Sequence, residues 1–156
     1  MKLQIPLQLW NRPRWELRGR VDSVKFFSLL WAALPAVTTL FVEGTSIAPE
    51  VRKFLESAAE AGAYLPARNT IWPRPKQFRV RVDDSTMAQF SQLAARHAEP
   101  ELADHLFVYS GDGPLLEWPD AFDRGSPMLI SRDADERRVR QFAQELGLEI
   151  KEMSGS

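Results

Sequence analysis

Cysteine is missing from all 156 residues, which excludes disulfides, zinc–thiolate and iron–sulfur centres, and a thiol nucleophile. Histidine is almost missing. His97 and His105 are the two present, so a zinc centre would need both together with carboxylates, and no spaced motif supports one. The chain also has no Gly-x-Gly-x-x-Gly after a strand, no Gly-Lys-Ser/Thr loop, no Gly-x-Ser-x-Gly elbow and no His-Glu-x-x-His helix. The backbone cradles for dinucleotides and nucleoside triphosphates, the hydrolase elbow and the zinc-protease helix are therefore not written in it, and no cofactor is expected. Gly111-Asp112-Gly113 is too short to replace a phosphate loop and lacks the spaced oxygens of a calcium loop.

One long uncharged run is present, the 17 residues from Phe26 to Val42, preceded by Arg12, Arg14, Arg18, Arg20 and Lys25. A bilayer span needs about 20 apolar residues, and this run is broken by Ser28, Pro35, Thr38 and Thr39. A folded reading accounts for the same letters. Asp22 or Ser23 caps a short helix with Phe26, Phe27, Leu30, Trp31 and Leu34 on one face, Pro35 stops it, and Val37 to Val42 forms a buried strand.

The remainder alternates between helical and strand periods. Pro49 opens a helix with Val51, Phe54, Leu55 and Ala58 on its apolar face, closed by Gly62. Pro66, Pro73 and Pro75 make residues 63–76 a stiff connection. Phe78, Val80 and Val82 alternate with Arg79 and Arg81, which predicts a strand with a cationic outer row. Asp84-Ser85 caps a helix carrying Met87, Phe90 and Ala94, with His97 tucked at its end. LFVYS and PLLEW form a hairpin about Gly111-Asp112-Gly113, and PMLIS adds a strand. Asp133 and Glu136 are spaced like a capping box for a last helix with Val139, Phe142, Ala143 and Leu146, ended by Gly147; Leu148, Ile150 and Met153 suit an edge strand. The expected fold is α/β, a mixed sheet of about five to six strands including the hairpin, covered by about four helices, with α+β as the alternative. Residues 1–20 read as an arm or strand pair anchored by Trp10 and Trp15, residues 21–153 as one domain, and 154–156 as a disordered tail.

The net charge of −1 conceals a division. Residues 1–82 hold thirteen Lys/Arg against six Asp/Glu, and residues 83–156 hold seven against fifteen. From 83 to 123, Arg96 alone faces Asp83, Asp84, Glu99, Glu101, Asp104, Asp112, Glu117, Asp120 and Asp123. Either the two halves neutralise one another within the fold, or an anionic surface is left for a cationic partner.

Three site readings follow. Tyr109, Asp112, Glu117, Trp118, Asp120, Phe122 and Asp123 interleave rings and carboxylates in the manner of a surface that captures a basic protein. A hairpin pairing residues whose numbers sum to 225 puts His105, Phe107, Tyr109, Trp118 and Asp120 on one face, where Asp120 could orient His105 as a general base; a sum of 224 sends Leu106, Val108, Leu116 and Trp118 to the core instead. Arg68, Trp72, Arg74, Lys76, Arg79 and Arg81 could track a nucleic acid, although the overall pI near 6.1 opposes this and cations guarding an edge strand are the simpler account. The reading carried forward is a cytoplasmic, bacterial-type interaction module that engages a basic partner through residues 104–123. A small hydrolase or ligand-binding enzyme using His105 and Asp120 is the runner-up, and membrane insertion is disfavoured.

Overall fold

The computed structural model describes residues 7–35, 37–62, 76–111 and 113–155. Seven strands form one sheet: β1 (Arg14–Arg18), β2 (Thr39–Gly44), β3 (Lys76–Arg81), β4 (His105–Ser110), β5 (Gly113–Trp118), β6 (Met128–Ser131) and β7 (Glu149–Met153). Their order is β3-β2-β4-β5-β6-β1-β7, and every neighbouring pair is antiparallel. Helices and sheet share one fold as expected, but among the described residues the strands number seven and no parallel portion accompanies them, so the arrangement is the antiparallel α+β form. A hairpin links β4 and β5, whereas β2 and β3 are joined through α2 and the pairs β2–β4, β6–β1 and β1–β7 are not consecutive in the chain. The extra strand comes from RWELR, which joins the sheet between β6 and β7 and so ties Arg14–Arg18 into the same body. No partner strand precedes it among the described residues; Leu9–Asn11 is a 3-10 turn.

Four helices line one face: α1 (Ser23–Ala33), α2 (Pro49–Ser57), α3 (Asp84–Ala94) and α4 (Glu136–Leu146). Their starts are set by side chains that accept otherwise unbonded N–H groups. Asp22 accepts from Lys25, Asp83 from Thr86 and Asp135 from Arg138, so the caps of α3 and α4 are Asp83 and Asp135 and not the residues anticipated. Gly147, in the left-handed region at φ 71°, closes α4 while Leu148 N–H reaches back to the Ala143 carbonyl at 2.8 Å. Phe26, Phe27, Leu30, Val51, Leu55, Met87, Phe90 and Phe142 from these helices meet Trp15, Leu40, Val42, Val80, Leu106, Val108, Leu116, Trp118 and Ile130 in a single apolar cluster. Trp31 is the exception on α1: it falls at the margin of the apolar stripe and is 44% exposed. No helix among the described residues is long and apolar enough to cross a membrane.

The hairpin takes the 224 register, with Leu106 opposite Trp118, Phe107 opposite Glu117 and Val108 opposite Leu116, before a bulge after Val108 shifts Tyr109 onto Pro114. The large apolar side chains decide this, because the other register would put Leu106 and Val108 on the face opposite Leu116 and Trp118, and one pair would leave the core.

Candidate functional site

The sheet face away from the helices carries the chemistry. Across its middle run Arg79, Phe41, Phe107, Glu117, Leu129, Glu16 and Lys151, one residue from each strand. Leu7 to Arg12 passes over the β5–β6 part of this face, with Leu9 fully buried. Beside that segment lies a cleft of about 600 Å³, whose walls include Leu7, Trp10 and Arg18 on one side and Pro119, Asp120, Asp123 and Pro127 on the other. Trp10 is 48% exposed, the largest apolar side chain left in solvent on this face among the described residues.

The opposite wall is a tight loop after β5. Asp120 and Phe122 both have positive φ, 48° and 69°, a conformation that Asp tolerates and Phe rarely adopts. The Phe122 ring reaches the helix-side core, 4.7 Å from Trp118 and 5.9 Å from Phe26, and the burial of that ring, worth about 2 kcal/mol, offsets backbone strain of about 1–3 kcal/mol. Ser126 Oγ donates to the Pro119 carbonyl, Gly125 N–H to Asp123 Oδ1 and Ala121 N–H to the Asp104 carbonyl, so the loop is braced at several points. Asp120 and Asp123 also border a second hollow of about 510 Å³ with Glu99, Asp104, Ala121 and Phe122. The loop is thus a ridge between two concavities, with carboxylates on its crest.

Electrostatically, none of the acids between 83 and 123 pairs with a Lys or Arg among the described residues. The ion pairs lie elsewhere, at Arg14–Glu16, Arg18–Glu16, Arg81–Glu60, Arg96–Glu50, Arg132–Glu152 and Arg140–Glu136, for example. Asp104 accepts from Thr45 N–H and Oγ1, and the Asp120 carboxylate lies 3.9 Å from His105 Nδ1.

The residues singled out from sequence divide accordingly. Asp120 and Asp123 stand at the cleft, Phe122 is half-buried in the core, and Tyr109 is half-buried on the open face beside Gln8. Glu117 and Trp118 are buried to 0% and 1% exposure and are unavailable to a partner, because the 224 register turns Trp118 into the core and places Glu117 beneath the 7–12 segment. Asp112, Arg68, Trp72 and Arg74 lie outside the described residues. His105 and Asp120 are neighbours, but the carboxylate stands 3.9 Å from Nδ1, while Asp120 N–H donates to that nitrogen at 2.9 Å. Nδ1 is then an acceptor and the ring proton sits on Nε2, so a backbone amide, not the carboxylate, orients the imidazole. Burial holds the His105 pKa below its ordinary value against the opposing pull of Asp120 and Asp104. On the edge strand β3 the cations do not form one free row. The Arg79 guanidinium lies 5.3 Å over the Phe41 ring, Arg81 is paired with Glu60 at 2.9 Å, and Lys76 is exposed.

Three buried charges escaped the sequence reading. Arg14 and Glu16 lie on β1, with Glu16 Oε1 accepting from Arg14 Nε and an Arg14 terminal nitrogen at 3.1 and 2.8 Å and Oε2 accepting from Arg18 at 3.0 Å. Their signal was visible, since plus, minus and plus at 14, 16 and 18 share one face of a strand. Glu43 is 6% exposed, opposite His105 on the neighbouring strand, and its Oε2 has no hydrogen-bond partner. Desolvation, then the nearby Asp104 charge, pushes its pKa up to about 7. Among the described residues no three acidic or imidazole groups converge to hold a metal ion. No family model matches this chain, and the comparisons with curated proteins and with solved structures found no match either.

Proposed function

We propose that the chain is a non-catalytic interaction module whose cleft between the 7–12 segment and the 119–127 loop receives a basic segment of a partner protein. The observation that carries the reading is the meeting of a half-exposed Trp10 with Asp120 and Asp123, two carboxylates that no lysine or arginine neutralises among the described residues. The Arg14 guanidinium lies over one face of the Trp10 indole at 4.9 Å; the other face can attract a second guanidinium or an ammonium group, and nearby carboxylates supply the counter-charge and steer its approach. Arg18 lines the same cleft, but its charge is directed to Glu16. The buried ring of Trp118 and the half-buried ring of Phe122 support this reading indirectly, by fixing the ridge on which the carboxylates sit.

Titration calorimetry with a ten-residue peptide alternating arginine and leucine tests it, with a glutamate–leucine peptide as the contrast. The arginine peptide should bind, and affinity should fall about tenfold or more with Asp120→Lys plus Asp123→Lys and also with rising ionic strength. Equal binding of both peptides, or affinity untouched by the double reversal, overturns the proposal.

A further inference from the structure

The cleft wall bearing Leu7, Trp10 and Asn11 is not part of a strand or a longer helix, and its position depends on buried charge at two points. Glu117, fully buried, accepts the Leu9 N–H on Oε1 at 2.6 Å and the Gln8 N–H on Oε2 at 3.1 Å. At the far end, one Arg14 nitrogen donates to the Trp10 carbonyl at 3.0 Å and to the Arg12 carbonyl at 3.3 Å, while its guanidinium lies 4.9 Å from the Trp10 ring centre. Glu16 fixes that guanidinium from below. A carboxylate kept out of water on a sheet face is costly, and the hydrogen bonds described for Glu117 go to these two amides.

We infer that Leu7–Arg12 is a strap seated by Glu117, and that Glu117 is the positioning residue on which the cleft depends: with the strap seated the Trp10 wall exists, and with it lifted the cleft is lost. Two carboxylate oxygens match two successive backbone N–H groups, with Leu9 filling the surface between β5 and β6 as the apolar counterpart. A glutamine in the same place would keep the shape but offer one oxygen, and would turn its NH2 toward a backbone donor. The ligand arm of this inference rests on the proposed function; the seat itself does not.

Amide exchange and the indole N–H resonance of Trp10, assigned through Trp10→Phe, test it without a ligand. In Glu117→Gln, exchange at Gln8 and Leu9 should accelerate about tenfold or more while Val108 stays protected, the Trp10 resonance should move toward that of a solvated indole, and Glu117→Asp should recover part of both. Unchanged exchange and an unchanged Trp10 resonance in the glutamine variant overturn the inference. Should that variant fail to fold, the wild-type chain decides: Leu9 must exchange through a local opening less protected than β4, and exchange only by global unfolding overturns the strap. A strap that loosens while the arginine peptide binds as before overturns its control over the cleft; a strap that loosens when the wild-type chain binds no arginine peptide overturns the proposed function and leaves the seat standing.

Discussion

The two faces of the sheet are made by alternate residues of the same strands, yet different physics holds each. Under the helices, Phe26 touches Phe27, Trp118, Phe122 and Phe142, and Phe27 stacks on Phe90 at 3.8 Å; that side is closed by area removed from water. On the open side Phe41, Phe107 and Leu129 are also buried, but they are interspersed with Glu16, Glu43, Glu117 and Arg14. Apolar burial is indifferent to direction, whereas a desolvated charge is tolerated only where something is aimed at it. The open face therefore shows what it was shaped to hold: Glu16 grips two arginines, Glu117 two amides, and Glu43 leaves one oxygen without a partner.

That contrast can be broken at four places. Phe26→Ala, on the helix side, should lower stability by about 4 kcal/mol, read from the urea midpoint, since it empties the centre of the aromatic cluster. Glu16→Ala should cost about 3 kcal/mol by leaving the buried Arg14 guanidinium unpaired, and adding Arg14→Met should restore part of that loss; a double variant no better than the single would mean that the pair acts by packing alone. Glu43 offers a pH test. Its carboxyl binds a proton more tightly in the folded chain, near 7, than at the ordinary value of 4.5, so folding takes up a proton between these values and stability declines as pH rises through them. Relative to Glu43→Gln, which has no such proton to lose, the wild type should weaken by about 2–3 kcal/mol from pH 4.5 to pH 8 in urea titrations. His105, with its pKa held low, acts in the other sense: the stability it contributes is present above its ordinary 6.5 and is lost as pH falls through and below that value, and since both chains keep His105 the comparison isolates Glu43. Arg52→Ala, which removes an exposed pair 3.9 Å from Glu56 on α2, should change the midpoint by under about 0.5 kcal/mol.

The helix side was largely readable from the amino-acid order, because it depends on periodicity. The Asp22 cap, the stripe of Phe26, Phe27 and Leu30, the β4–β5 hairpin and the Gly147 stop all follow from spacing and local hydrogen bonding. The open side was not, because it depends on pairings between distant residues. Glu117 has the composition of an exposed acid on a rim, and nothing next to it in the chain announces that the amides of Gln8 and Leu9 will cover it. Similarly, the 225 register that pairs His105 with Asp120 is not the one adopted; the two meet through the turn after β5, and which atom of Asp120 faces the ring depends on the positive φ of that loop. Trp10 and Asp123 could be picked out as an anchor and an acid, though not as opposite walls of one cleft.

The place of β1 between β6 and β7 has a consequence for the birth of the molecule. Leu9 and the carboxylate that seats it are 108 residues apart in the chain, and the strand that follows Leu9 finds both of its neighbours only among the later-made strands. While a ribosome is still producing the middle of the protein, Trp15 and Leu17 have no sheet to join and stay open to chaperones or to wrong partners. Closure of this side thus rests on contacts between residues far apart in the chain, the kind whose loop-closure entropy is the costliest to meet.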